Sequence, residues 1–280
     1  MTPLLPLALS LALILPLAAV AVPPPSPLTN HGGPLLGDNG NLDVSILWYG
    51  PIAKVQKRSI LNFLKSLNAN AGPVQPQVSQ WWDIVGSYTR SPKINVKVVN
   101  QAFDPNYSLG KVLIKDFIKI LLPKATGGKP NTLVIIVAVK GVTVQNMCAG
   151  DCAQHDFIGD QAYVAVGNPE AECPQCTAPF VPTGALALVK PPSGNIAADT
   201  MVRLLAKGLA GAVSNPLKTG FYAIGHDEEI LDASSVCDDI GKFEINSLNG
   251  GAFNAHGFKG KKFLLPAIWN PKTSSCWTPL

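Results

Sequence analysis

The residues best able to do chemistry in this chain are an acidic run, six cysteines and four histidines. Asp227-Glu228-Glu229, Asp232 and Asp238-Asp239, with His226 at their edge, are residue types that glycoside hydrolysis uses as acid and nucleophile or base. The same composition suits a solvated, glycine-bounded loop or a weak calcium site. Nothing in the spacing holds an acid and a base at a set separation, so the solvated loop is the expectation. Cys148-x3-Cys152-x2-His155 has metal-ligand spacing, but no second Cys/His pair complements it. Cys173-x-x-Cys176 has redox spacing. A redox pair needs a helix starting at its first cysteine to depress the thiol pKa, and Thr177-Ala178-Pro179-Phe180-Val181-Pro182 is not that helix. A structural disulfide is the expectation.

The histidines His31, His155, His226 and His256 are scattered, and scatter does not argue a Ser-His-Asp arrangement. No nucleophile elbow, phosphate loop or dinucleotide fingerprint occurs. The expectation is therefore no catalytic residue, no metal, no cofactor and no nucleic-acid partner. Trp48-Tyr49 and Trp81-Trp82 have the ring surface to stack on sugars, but core positions are expected for them. Asn106-Tyr107-Ser108 is the one Asn-x-Ser/Thr sequon, and Asn106 is the expected glycosylation site.

The compartment follows from the N-terminus. Met1 to Ala21 is an uncharged apolar run interrupted by Pro6 and Pro16, and Val22-Pro23-Pro24-Pro25 follows it. Ala19-Val20-Ala21 puts small residues where signal peptidase needs them. Residues 1–21 are read as a signal peptide and 22–41 as a Pro/Gly-rich arm. Residues 42–280 are read as one domain with no membrane span, acting as a monomer. An exported chain meets an oxidising compartment. Cys148, Cys152, Cys173, Cys176, Cys237 and Cys276 are then expected in three disulfides. Spacing weakly favours Cys148–Cys152, Cys173–Cys176 and Cys237–Cys276.

The net charge of +4 is unevenly spread. From Val22 to Gly150 there are 13 Lys/Arg and five Asp, a balance of +8; the remaining 9 Lys/Arg and 13 Asp/Glu give −4. A basic half could hold an anionic polymer, although solvated helix faces account for the same lysines.

Positioning these residues falls to alternating strands and helices. Leu42–Tyr49 alternates as a strand, 55–67 has helical periodicity, and 78–88 reads as a short helix. Ile94–Val98 reads as a strand. Ser108 is placed as the N-cap of a helix that Pro123 stops. Leu133–Val139 is a buried strand, Ala162–Val166 another, and 199–213 a strong helix. The last 65 residues read as loop-rich and disulfide-bonded. The expected class is α/β, with mixed α+β as the alternative: a mixed sheet flanked by helices.

Several strings resemble a known family: His31-Gly32-Gly33-Pro34-Leu35-Leu36, Leu47-Trp48-Tyr49-Gly50, Asn106-Tyr107-Ser108-Leu109-Gly110-Lys111, Val166-Gly167-Asn168, Ser214-Asn215-Pro216 and Leu264-Leu265-Pro266-Ala267-Ile268-Trp269-Asn270-Pro271-Lys272-Thr273. Their order and spacing resemble the EXORDIUM / phosphate-induced protein family of plants, over essentially the whole chain after residue 21. The resemblance implies a secreted apoplast or cell-wall protein linked to brassinosteroid- and nutrient-dependent growth, with no catalytic residues to carry over. It would act on a wall polysaccharide or on an apoplastic or receptor protein. A hydrolase using the 226–239 loop is the alternative. One departure concerns Cys173 and Cys176, which have two residues between them where family members usually have three. That leaves the local pairing open. Met201–Ala212 resembles the helix that carries a His-Glu metalloprotease-like motif in more distant relatives. Here Lys207, Gly208 and Gly211 stand on the turn a metal site would use, so the resemblance implies a degenerate zinc-hydrolase scaffold without zinc.

Overall fold

The computed structural model describes residues 28–70, 72–148, 152–180, 189–226, 228–237 and 241–280. The signal-peptide reading of residues 1–21 lies outside them, as do Asp227, Asp238 and Asp239.

Five strands form the central sheet: β1 (Asn41–Tyr49), β2 (Asn95–Asp104), β3 (Leu133–Ala138), β4 (Gln154–Ile158) and β5 (Gln161–Val166). Their order is β2-β1-β3-β5-β4. The first four in that order run parallel, and β4 joins the edge antiparallel to β5. The sheet is mixed and the class is α/β.

The period-2 alternation of the strands decides which helix each residue meets. Val44, Ile46 and Trp48 of β1 and Ile135 and Val137 of β3 pack with three helices on one face: α1 (Lys54–Leu67), α2 (Val78–Gly86) and α4 (Ile196–Ser214). Leu47, Tyr49, Val134 and Ile136 point the other way, onto α3 (Lys115–Thr126). Because β3 is buried on both faces, its sequence is a continuous apolar run. Each fully buried Leu, Ile or Val here contributes about 1.5–3 kcal/mol.

Of the 19 residues of α4, all but Ile196 and Lys207 are buried. A helix covered all round must be apolar or small all round, and α4 is rich in Ala and Gly. Gly208 has no room for a side chain, since a Cβ there would lie 2.5 Å from a methyl of Val164.

Trp48, Tyr49, Trp81 and Trp82 are buried core residues. Their polar atoms are satisfied inside: Trp81 Nε1 donates to the Pro266 carbonyl at 2.9 Å, and Trp82 Nε1 to that of Ile94 at 2.8 Å.

The expected helix after Ser108 starts later. The Asp104 carboxylate takes both the amide and the hydroxyl of Ser108, so Ser108 closes a loop instead of capping a helix. Val112–Leu113 then pairs with Thr143–Val144 before α3 begins at Lys115. Pro123 does not end α3. The buried face of Leu121, Leu122 and Ala125 carries it to Thr126, where Gly127 in the left-handed region (φ 58°) makes the cap.

The C-terminal part consists of short antiparallel pairs: Glu244–Ile245 with Ala252–Phe253, Ala255–His256 with Lys262–Phe263, and Ile268–Asn270 with Ser275–Trp277. Among the described residues, no helix is long and apolar enough to cross a membrane.

Candidate functional site

The six cysteines form three disulfides, Cys148–Cys173, Cys152–Cys176 and Cys237–Cys276. The last has the partners that spacing favours. The other two overturn the local pairing: Cys148 and Cys152 do not join each other, and neither do Cys173 and Cys176. The reason is topological. Cys148 and Cys152 lie on the segment entering β4, and Cys173 and Cys176 follow β5, its hairpin partner. The hairpin lays these two segments side by side, with Cα separations of 5.5 and 5.3 Å. The buried Arg203 of α4 ties this unit down through the carbonyls of Cys176 and Ala178. With both thiols of Cys148-x3-Cys152-x2-His155 consumed, that string is left with one metal donor. Among the described residues, no group of three His, Cys, Asp or Glu side chains is placed to hold a metal ion. Asn106 is exposed in the turn after β2.

Three features that are separate in the sequence meet in one cleft of about 330 Å³. They are the histidine after the cysteines, the Lys207 turn of α4 and the acidic segment around Asp232. The cleft lies where α4 ends against the edge strand β4. His155 Nε2 is 3.0 Å from Asp232 Oδ2. The ring enters because position 211 is glycine: a Cβ there would stand 2.5 Å from the imidazole. Asp232 also accepts from the Ser234 hydroxyl at 2.6 Å and the Ser234 amide at 2.8 Å. Burial alone would raise its pKa. His155 and Ser234 outweigh that and hold it at about 2.

The second carboxylate, Asp156, sits next along β4. Lys115 donates to it at 2.8 Å, Tyr163 at 3.5 Å, and Lys218 lies 3.7 Å away. Burial opposes its ionisation, but Lys115, the Phe157 amide and Lys218 together hold its pKa below the ordinary carboxylate value. Glu228 and Glu229, by contrast, are exposed.

This arrangement limits the chemistry. A pair of catalytic carboxyls needs pKa values pushed apart, so that one keeps its proton. Asp156 and Asp232 are both pushed down. The Ser234 hydroxyl donates to Asp232 and not to the imidazole, which is the wrong order for nucleophile activation. Three buried polar atoms of cleft-lining residues, Gln154 Oε1, Asn215 Nδ2 and His155 Nε2, make no hydrogen bond among the described residues; His155 Nε2 faces Asp232 Oδ2 at 3.0 Å without hydrogen-bond alignment. The Asn215 amide is oriented, since its oxygen accepts the Gly220 amide at 2.8 Å. Buried polar atoms require a partner, and an unsatisfied donor and acceptor beside fixed charges give this wall a polar, hydroxyl-compatible character once a side-chain rotation exposes them.

Sequence reasoning missed β4, and with it the site. Gln154-His155-Asp156-Phe157-Ile158 does not alternate like a half-buried strand. The usable signal was Gly159-Asp160, a two-residue turn ahead of Gln161–Val166.

The conserved region of phosphate-induced protein 1 matches residues 28–279. Protein EXORDIUM-like 2 of Arabidopsis thaliana is 33% identical, covering 93% of this chain and 92% of the relative. Protein EXORDIUM of Arabidopsis thaliana is 32% identical, covering 90% and 88%. Protein PHOSPHATE-INDUCED 1 of Nicotiana tabacum is 29% identical, covering 93% and 91%. No solved structure matches the chain. With the conserved region spanning nearly its whole length, the chain belongs to the phosphate-induced protein 1 family, alongside the EXORDIUM-like proteins.

Proposed function

We propose that this is a secreted, non-enzymatic protein of the plant apoplast and cell wall, and that it binds a wall polysaccharide through the cleft between β4 and the end of α4. In this reading residues 1–21 are removed on export, the arm 22–41 leads into one domain at 42–280, and the protein works as a glycosylated monomer modified at Asn106. Its biological setting is growth regulation. The family resemblance supports that setting and its link to brassinosteroid or nutrient status.

One observation carries the binding reading. The cleft brings together two buried carboxylates, Asp156 held by Lys115 and Lys218 and Asp232 held by His155 and Ser234, with the amides of Gln154 and Asn215, each of which has a buried polar atom without a hydrogen-bond partner among the described residues. The three disulfides fit an extracellular setting. A hydrolase working through the 226–239 loop has less support, because Glu228 and Glu229 are exposed and Asp232 is engaged.

Capture on immobilised wall polysaccharides, run beside capture of apoplastic proteins, tests the reading. The mature protein should be retained by a polysaccharide, and Asn215→Asp with Gln154→Leu should lose retention. Retention only by a protein partner, or retention indifferent to both substitutions, would contradict it.

A further inference from the structure

The first turn of α4 opens on a second cleft, of about 370 Å³. Asp199 in the first turn and Asn215 at the C-cap are 16 residues apart along α4, so the two clefts are separated by roughly 24 Å of helix axis. The cleft is cationic: Arg58 projects from α1, and Lys261 and Lys262 from the strand at 262–263 and the residue before it. Arg58 and Lys261 are exposed. Among the described residues, none of the three cations makes an ion pair. Lys262 lies over the Phe253 ring at 3.8 Å, a cation–π contact that supplies no counter-charge.

One carboxyl shares this cleft. Asp199 is 7% exposed, and the amide and hydroxyl of Ser193 both donate to its Oδ2 at 2.8 Å. Among the described residues, both of these hydrogen bonds fall on Oδ2 and none on Oδ1. No ion pair joins Asp199 to Arg58, Lys261 or Lys262, so the cations are not there to neutralise it. The cleft wall is already shaped. Asn249 Nδ2 donates to the Pro192 carbonyl at 3.0 Å, Lys190 Nζ to the Asn249 carbonyl at 2.7 Å, and the Ala252 amide to the Lys190 carbonyl at 2.8 Å. Leu248, 93% exposed, gives the rim an apolar edge.

We infer that this second cleft binds an acidic saccharide of the uronate class. Arg58 and Lys261 take the sugar carboxylate, and Asp199 Oδ1 accepts a neighbouring hydroxyl. Each group matches a feature of that ligand. A guanidinium fits a carboxylate bidentately, a fixed carboxylate oxygen is a strong acceptor for a sugar hydroxyl, and Leu248 can cover the C–H face of a ring. Charge alone would attract any polyanion; above pH ~6, where Asp199 is ionised, it would repel one that brings no hydroxyl to it. The inference is independent of what the α4-end cleft binds.

Calorimetric titration of the mature protein with a galacturonate oligomer, its methyl ester and polyglutamate tests it. The galacturonate oligomer should bind, with the methyl ester and polyglutamate each weaker by about tenfold or more, as expected for loss of a charge-assisted contact. Arg58→Ser with Lys261→Ser, both exposed positions, should weaken it by a similar factor. Lys129→Ser, which removes an exposed cation outside the cleft, should leave it unchanged. Equal binding of the methyl ester or of polyglutamate, or an equal loss with Lys129→Ser, would overturn the assignment.

Discussion

The imidazole of His155 rests against the backbone of Gly211 with its Nε2 3.0 Å from Asp232 Oδ2. The glycine one turn beyond Lys207, where a zinc helix would carry a ligand, is therefore the clearance that admits a histidine from the edge strand.

That contact predicts an unusual glycine substitution. In a helix interior, Gly→Ala ordinarily gains about 1 kcal/mol. At Gly211 the added methyl would meet the imidazole at 2.5 Å, and overpacking of this kind costs roughly 1–3 kcal/mol. Gly211→Ala should lower the urea midpoint in wild type and lose that effect in a His155→Ala background. Additive losses in the double variant would show that the ring and the glycine are not in contact.

Asp232 is buried against the partly exposed ring of His155, and the amide and hydroxyl of Ser234 donate to it. Asp232→Ala should destabilise the protein by about 1–3 kcal/mol, the cost of leaving the buried Ser234 donors without their acceptor. Denaturant unfolding at unchanged slope measures it. A loss below about 0.5 kcal/mol, the range of ordinary surface substitutions, would mean that the pair does not form.

Two buried aspartates set opposite pH dependences. Asp232, held at about 2, contributes stability that is present above pH ~4 and lost as pH falls through about 2. Burial raises Asp199 from 3.8 to about 6, against the hydrogen bonds from Ser193. Its contribution is fully present below pH ~4 and lost as pH rises through about 6, by roughly 2–3 kcal/mol. Asp199→Asn should remove the decline between pH 4 and pH 6 and leave the acid limb in place. Parallel wild-type and variant profiles would refute this assignment of the decline.

Peptide mapping of the unreduced protein should recover Cys148 linked to Cys173 and Cys152 linked to Cys176, with no free thiol. A Cys173–Cys176 link would contradict the arrangement beside β4.

Legibility in the sequence tracked the periodicity of each segment. The α4 face, the apolar run of β3 and the alternation of β1 were readable because burial on one or both faces dictates residue type at a fixed period. Strand β4 was not, because an edge strand covered partly by polar partners has no such period. The Ser108 helix start failed because the Asp104 carboxylate outcompeted a helix for the hydroxyl and amide of Ser108. The site was illegible for a different reason. His155, Gly211 and Asp232 come from a strand, a helix and a loop far apart in the chain, and only the placement of β4 beside α4 brings them together. The family strings carried the family but pointed to none of these three residues.

The central claim is that the cleft holding His155, Asp156 and Asp232 binds a wall saccharide without turning it over. The direct measurement is a calorimetric titration of the mature protein with soluble wall oligosaccharides, with reducing ends and ligand length assayed in the same samples. The account predicts saturable binding that Asn215→Asp weakens by about tenfold or more, with the ligand recovered intact. Shortened oligosaccharides, lost on Asp156→Asn or Asp232→Asn, would contradict it.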